Sequence, residues 1–238
     1  MTASTSEQLA KLMAGVELLM LDFDGPICSV FAGVPAPEVA NRLRESLRRL
    51  GVEITAQLER DDDPLSIYRK GANYGPAVTA ELFARLVAAE VGAIASAVPT
   101  PGAIDVVKAA RATGLKTAVV SNNAAAAVES YLVEHDLEGL IDYVAARRSP
   151  EPRLMKPNPA YLIETATELG VPAARCVLVG DSVTDIEAAR RAGVRAIGYA
   201  NKPGKVARLM GAGAYALVTS MADIGRALAN RPDEARGK

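Results

Sequence analysis

Three short apolar runs in this chain each end on a polar residue: residues 16–21 stop at Asp22, residues 117–120 at Ser121, and residues 176–179 at Gly180 and Asp181. Runs of this length without polar alternation are what strands buried on both faces require. A further run at 194–199, and weaker ones at 143–146 and 215–219, repeat the pattern. Between them, segments 104–112, 124–135, 159–169, 183–192 and 221–229 carry helix formers with apolar residues three and four apart. Gly114, Gly170 and Gly193 stand where those helices should stop, as residues free to adopt the left-handed conformation that closes a helix. Strands alternating with helices predict an α/β fold, a doubly wound parallel sheet with a Rossmann-like core and right-handed crossovers. Ligands of such sheets gather beyond the carboxyl ends of the strands. Asp22, Ser121 and Asp181 all fall there.

From about residue 30 to residue 98 the rhythm breaks, and only helical patterns remain, at 37–50, 64–70 and 77–95. This stretch reads as an inserted helical cap, residues 30–98, on a catalytic core built from residues 1–29 and 99–238. The return joint, Pro99-Thr100-Pro101-Gly102, mixes restricted and permissive residues as a linker should. A chain of 238 residues, half of them hydrophobic, can bury one sizeable core and a smaller second one. No internal repeat is visible, and the polar tail, residues 231–238, is expected to fray.

Composition narrows the function classes. Lysine and arginine total 27 against 28 acidic residues, and the net charge of -1 gives no field that would draw in nucleic acid. Cys28 and Cys176 have neither disulfide-framework nor metal-type spacing, which fits a reducing compartment and predicts a cytoplasmic protein. The apolar stretch before Asp22 is interrupted by Glu17 and has no cleavage pattern, so no signal peptide is expected. Residues 82–98 contain Arg85 and Glu90 and fall short of the ~20 apolar residues of a membrane span.

The chemistry-bearing residues are acidic. In extended chain Asp22 and Asp24 point the same way, so both carboxylates can face one cleft while Phe23 turns inward. Such a pair requires a cation or a shared proton. Asp181 adds a third carboxylate at another strand end, and hard oxygen donors favour magnesium beside a phosphate. Asp185 lies on the same helical face as Asp181, yet Ser182 with Asp185 also forms a capping-box pattern, and both readings stay open. Ser121, followed by Asn122 and Asn123, offers a hydroxyl and backbone amides at an expected helix start, either as a simple N-cap or as an anion site. Lys156 precedes Pro157 and is biased toward extended backbone, from which its ammonium can reach the cleft. Several features take bland readings. Gly211 and Gly213 precede a strand and do not form a dinucleotide loop, His135 is a surface or capping residue, Asp61-Asp62-Asp63 is a turn and helix start, and Cys28 is a small buried thiol.

Taken in order, Asp22-Phe23-Asp24-Gly25, Ser121-Asn122, Lys156-Pro157 and Gly180-Asp181-Ser182-Val183-Thr184-Asp185 resemble the four motifs of the haloacid dehalogenase superfamily. Within it the chain is similar to the phosphoglycolate phosphatase-like hydrolases with a helical cap after the first motif. The resemblance implies that Asp22 is the nucleophile and Asp24 the general acid and base. It implies that Ser121 and Lys156 hold the phosphoryl group, with Asn122 beside them, and that Asp22, the carbonyl of Asp24 and Asp181 surround Mg2+. Asp24 sets the chain apart from the dehalogenase branch, which lacks this aspartate, and from the phosphonate-cleaving branch, which typically has alanine there and an imine-forming cap lysine. Pro26 departs from the commoner threonine or valine and removes a backbone donor. Arg69, Lys70 and Tyr74 are the cap residues expected to touch substrate.

The expected activity is therefore hydrolysis of a small phosphorylated metabolite by a monomer or homodimer. A phosphomutase or phosphotransferase would use the same residues. A phospho-ligand sensor without turnover would also keep the pocket, but retention of both Asp22 and Asp24 argues against it.

Overall fold

The central strands send alternate residues to opposite faces, and both faces are covered. In β1 (Leu18–Leu21) Leu19 and Leu21 join one apolar cluster, while Leu18 and Met20 join another. In β6 (Cys176–Gly180) Val177 and Val179 face the first cluster, and Cys176 and Leu178 the second. This double burial is why the strands read as unbroken apolar runs. The computed structural model of the chain describes residues 4–231.

Six strands form one parallel sheet in the order β5-β4-β1-β6-β7-β8, the others being β4 (Lys116–Ala124), β5 (Tyr143–Arg147), β7 (Arg195–Tyr199) and β8 (Ala216–Val218). Counting these six alone, the order is that of a doubly wound Rossmann-type sheet, as the sequence predicts. Connections run outward in both directions from β1, so the crevice at its carboxyl end is the topological switch point. One face is covered by α1 (Ser6–Ala14), α6 (Ala103–Ala112), α7 (Ala125–Glu134) and α11 (Met221–Ala229). The other is covered by α8 (Ala160–Glu168), α9 (Val183–Ala192) and α10 (Lys205–Gly211).

The insertion is helical: α2 (Ala36–Arg49), α3 (Ala56–Glu59), α4 (Pro64–Gly71) and α5 (Pro76–Ile94) gather a core of their own around Leu43, Leu47, Tyr68, Leu82 and Leu86. A two-stranded antiparallel ribbon, β2 (Cys28–Ser29) with β3 (Val98–Pro99), closes its base. The α5 helix belongs to both cores, since Leu82 and Leu86 pack within the cap while Ala93 and Ile94 pack against the sheet layer. None of the described helices is long and apolar enough to cross a membrane.

Several elements differ from the sequence reading, α3 and the β2–β3 ribbon among them. The strand read at 117–120 continues to Ala124, so Ser121 lies inside β4, and α7 starts at Ala125 with no side-chain cap. The cause is pairing: Ala124 sits beside Arg147 of β5, after a register shift that bulges residues 121–123. α1 went unread because its apolar residues Leu9, Leu12 and Met13 are few, although Thr5 and Gln8 form a capping box. α10 was likewise unread. Arg231, assigned to a fraying tail, is buried and donates to the Val16 carbonyl (2.8 Å); residues 232–238 lie outside the described residues.

Leu178 is fully buried in the central strand β6. Leu178→Ala is expected to lower the unfolding free energy by about 2–5 kcal/mol in denaturant titration, whereas Val133→Ala, 59% exposed on α7, should change it by no more than ~0.5 kcal/mol.

Candidate active site

Strand pairing brings the separated motifs together. β1 lies between β4 and β6, with Leu21 beside Val119 and Val179. Asp22, Ser121 and Asp181 therefore emerge side by side at the carboxyl edge. Asp22 is 8% exposed, and its Oδ1 accepts from the Phe23 N–H (2.7 Å). Phe23 turns into the core, edge-on to Tyr131 at 5.2 Å. Beyond it the chain reverses: the Gly25 N–H donates to the Cys28 carbonyl (2.7 Å), and Asp24 Oδ1 accepts from the Val30 N–H (3.0 Å). Gly25 adopts φ 110°, and a Cβ there would lie 2.5 Å from the Asp181 carboxyl carbon. Only glycine lets this loop come so close to the third carboxylate.

Lys156 is the centre of the cluster. It is 1% exposed, and its Nζ lies 2.8 Å from Asp22 Oδ1 and 2.6 Å from Asp185 Oδ1 while donating to the Val120 carbonyl (2.8 Å). Burial alone would push this ammonium down, but Asp185 and Asp22 more than offset it and hold the group above its usual range. The main chain is held as firmly. Asn122 Oδ1 accepts from the Lys156 N–H (2.7 Å), and Asn122 Nδ2 donates to the Lys156 carbonyl (3.2 Å). Arg69, from cap helix α4, donates to the same carbonyl (2.8 Å).

Asp185 resolves into two roles at once. Its Oδ2 accepts from the N–H groups of Asp181 (3.1 Å) and Ser182 (3.0 Å) and from the Ser182 hydroxyl (2.7 Å), completing the capping box of α9. Its Oδ1 faces Lys156. Burial raises its pKa, but Lys156 and Ser182 outweigh burial and keep the carboxylate below its usual range. Asp22 is held well above that range, by burial first and then by Asp185, against the opposing pull of Lys156. Burial likewise raises Asp24 and Asp181, although Lys205 pairs with Asp181 Oδ2.

Ligand oxygens of Asp22, Asp181 and Asp185 lie within 4.8 Å of one another. These are hard donors without thiol or imidazole, and two of the three are raised in pKa by burial first, with the neighbouring Asp185 carboxylate adding to it. Such donors fit magnesium, and of the three Asp22 and Asp181 would hold it, since both oxygens of Asp185 are engaged by Lys156 and the α9 cap. A cavity of about 330 Å³ opens beside Asp24 and Asp181, walled by Cys28, Ser29, Thr100, Asn201 and Lys202. The Cys28 thiol is buried and pushed upward by burial, so it walls the cavity as a neutral group.

The remaining candidates separate. The Ser121 hydroxyl donates to Asn123 Oδ1 and accepts from the Asn123 N–H (both 3.1 Å). The Ala124 N–H is taken by Glu90 (2.9 Å), so the amides of residues 123 and 124 are not free as a helix start would leave them. Of the cap residues, Arg69 reaches the site, Lys70 pairs with Asp61 (2.5 Å) inside the cap, and Tyr74 is 41% exposed. His135 closes α7, and Asp63 caps α4. Sequence reasoning missed Lys205, which has no motif around it, and Glu90. The signal for Glu90 was its place four and eight residues after Leu86 and Leu82, on the apolar face of α5.

A profile of the haloacid dehalogenase-like hydrolases matches residues 16–193. The chain belongs to this family. It is 37% identical over 102 residues to a phosphonoacetaldehyde hydrolase of Bordetella pertussis, a match covering 42% of this chain and 36% of that protein. It is 33% identical over 86 residues to a phosphoglycolate phosphatase of Nitrosococcus oceani, covering 34% and 36%. The chain thus matches only about a third of the length of these curated relatives. Its fold is shared with CbbY of Rhodobacter sphaeroides, solved with phosphate, at a TM-score of 0.62 and 22% identity over 87% of this chain and 95% of the other.

Asp22, Asp24 and Asp181 hold protons more tightly than ordinary carboxylates, so what they add to stability at acid pH is lost as pH rises through their raised values; Asp185 acts in the opposite direction. A divalent cation relieves the crowding, so magnesium should raise the melting temperature more near neutrality than at about pH 5. Gly25→Ala should weaken magnesium binding, read by calorimetry, by about tenfold or more, which is ~1.4 kcal/mol.

Proposed function

We propose that this hydrolase is a magnesium-dependent phosphatase that cleaves a small phosphomonoester through a phosphoryl-enzyme intermediate on Asp22. The observation that carries this reading is the placement of Asp22 Oδ1 against Lys156 Nζ (2.8 Å), with Asp24 two residues on and Asp181 beside both. In this reading Asp22 attacks phosphorus and the bond to the alkoxide breaks. Asp24, raised in pKa by burial, gives its proton to the departing alkoxide and takes one back from the water that hydrolyses the acyl phosphate. Lys156, and Ser121 once its hydroxyl turns from Asn123, would hold the phosphoryl oxygens. Asp22, Asp181 and the backbone carbonyl of Asp24 would hold magnesium, which supplies positive charge to the transferring group. Asp185, with both oxygens engaged, serves as counter-ion to Lys156. The cap over residues 30–98 excludes water and selects substrate.

The similarity to phosphonoacetaldehyde hydrolases raises a second reading, carbon–phosphorus cleavage. Two observations weigh against it. Asp24 occupies the place where the phosphonate-cleaving branch has alanine, and the single lysine of residues 30–98, Lys70, is ion-paired with Asp61 instead of facing the site.

A screen of phosphorylated metabolites, with phosphonoacetaldehyde alongside, tests both readings through release of inorganic phosphate with and without magnesium. The expected outcome is release from at least one monoester, dependent on magnesium and lost in Asp22→Asn. Asp24→Asn should lower kcat by about 10²–10⁴-fold, the range of a lost general acid. Activity surviving Asp22→Asn, or confined to the phosphonate, would overturn the proposal.

A further inference from the structure

One fully buried ion pair joins the cap to the sheet. Glu90 of α5 and Arg147 at the end of β5 are both wholly buried and paired through Glu90 Oε2 and Arg147 Nη2. Neither touches the carboxylate cluster. Their remaining side-chain hydrogen bonds all land on the residues that follow Ser121. Glu90 Oε1 accepts from Asn123 Nδ2 (3.1 Å), Glu90 Oε2 accepts from the Ala124 N–H (2.9 Å), and Arg147 Nε donates to the Asn122 carbonyl (3.1 Å). Residues 122, 123 and 124 are thus each held by a group of this pair. The guanidinium also lies over the rings of Tyr68 (5.1 Å) and Phe83 (5.4 Å) of the cap.

These bonds pass directly to the groups that meet phosphate. Asn123 fixes the Ser121 hydroxyl from two sides, and Asn122 fixes the main chain of Lys156 from two sides. A bulged strand end carries no ladder to hold it, and here the register shift falls between Val120 and Ala124. A buried pair of charges is a weak source of stability compared with apolar packing of the same volume. What this pair adds is geometry.

We propose that Glu90 and Arg147 are positioning residues for phosphate binding: together they hold segment 121–124, so that the root of the cap sets where the Ser121 hydroxyl and the Lys156 ammonium stand. The inference rests on the phosphatase reading, in which Ser121 and Lys156 hold the phosphoryl group.

The test compares the full-length protein with Glu90→Gln and with the double variant Glu90→Leu/Arg147→Met, which removes both buried charges and so keeps the fold if the single variant does not. Inorganic phosphate affinity is measured by calorimetry with magnesium present, kcat and KM with para-nitrophenyl phosphate, and the melting temperature in parallel. Leu86→Ala, in the cap core and away from segment 121–124, is the control for simple destabilisation. The expected result is a tenfold or greater loss of phosphate affinity with a raised KM in whichever pair variant folds, and less than a twofold change in Leu86→Ala at a comparable loss of melting temperature. Phosphate affinity within twofold of the parent in a folded pair variant overturns the inference while leaving the phosphatase reading intact. A parent protein that binds no phosphate overturns both.

Discussion

The site is organised around a lysine ammonium with no solvent to support it. Lys156 stands inside the fold between Asp22 and Asp185, and a charge so placed persists only because two carboxylates and a backbone carbonyl surround it. Removing either carboxylate would leave the buried cation with one counter-ion in place of two. The arrangement also divides labour among the acids. The carboxylate that caps α9 is committed to Lys156, which leaves Asp22, sharing that lysine, and Asp181, paired with Lys205, as the acids facing the cleft. A cluster of this kind offers hard oxygen donors that could hold a cation.

The parallel sheet is what makes such crowding possible. β1 sits between β4 and β6, and its carboxyl end is where the direction of winding reverses. Acids from β1 and β6 are therefore neighbours in space although about 160 residues separate them. Gly25 permits the final approach, since any side chain there would meet Asp181. The helical insertion is a structural partner of the core. Arg69 reaches the Lys156 carbonyl from α4, while α5 carries Glu90 down to the strand that holds Ser121.

Much of this was legible in the sequence, for identifiable reasons. Strands buried on both faces leave continuous apolar runs, so β1 and β6 announced themselves, and the residues ending them marked the site. Helix stops were visible where glycine takes a left-handed conformation, as at Gly193 closing α9. The reading failed where pairing with a distant segment overrode local pattern. Ser121 reads as a helix cap by composition, yet Ala124 pairs with Arg147 and draws the strand onward. Glu90 reads as an interruption in an apolar helix, because its partners lie more than thirty residues away. Lys70 and Arg69 are adjacent in the chain, and only the direction each takes from α4 separates the one tied to Asp61 from the one at the site.

The central claim is a covalent bond between phosphorus and the Asp22 carboxylate. Chemical quench during a single turnover of para-nitrophenyl phosphate, followed by mass spectrometry of the proteolysed protein, tests it directly. The account predicts a transient phosphoryl adduct on the peptide carrying Asp22, cleaved by hydroxylamine and absent from Asp22→Asn. Turnover without any such adduct, under conditions where phosphate release is seen, would contradict it.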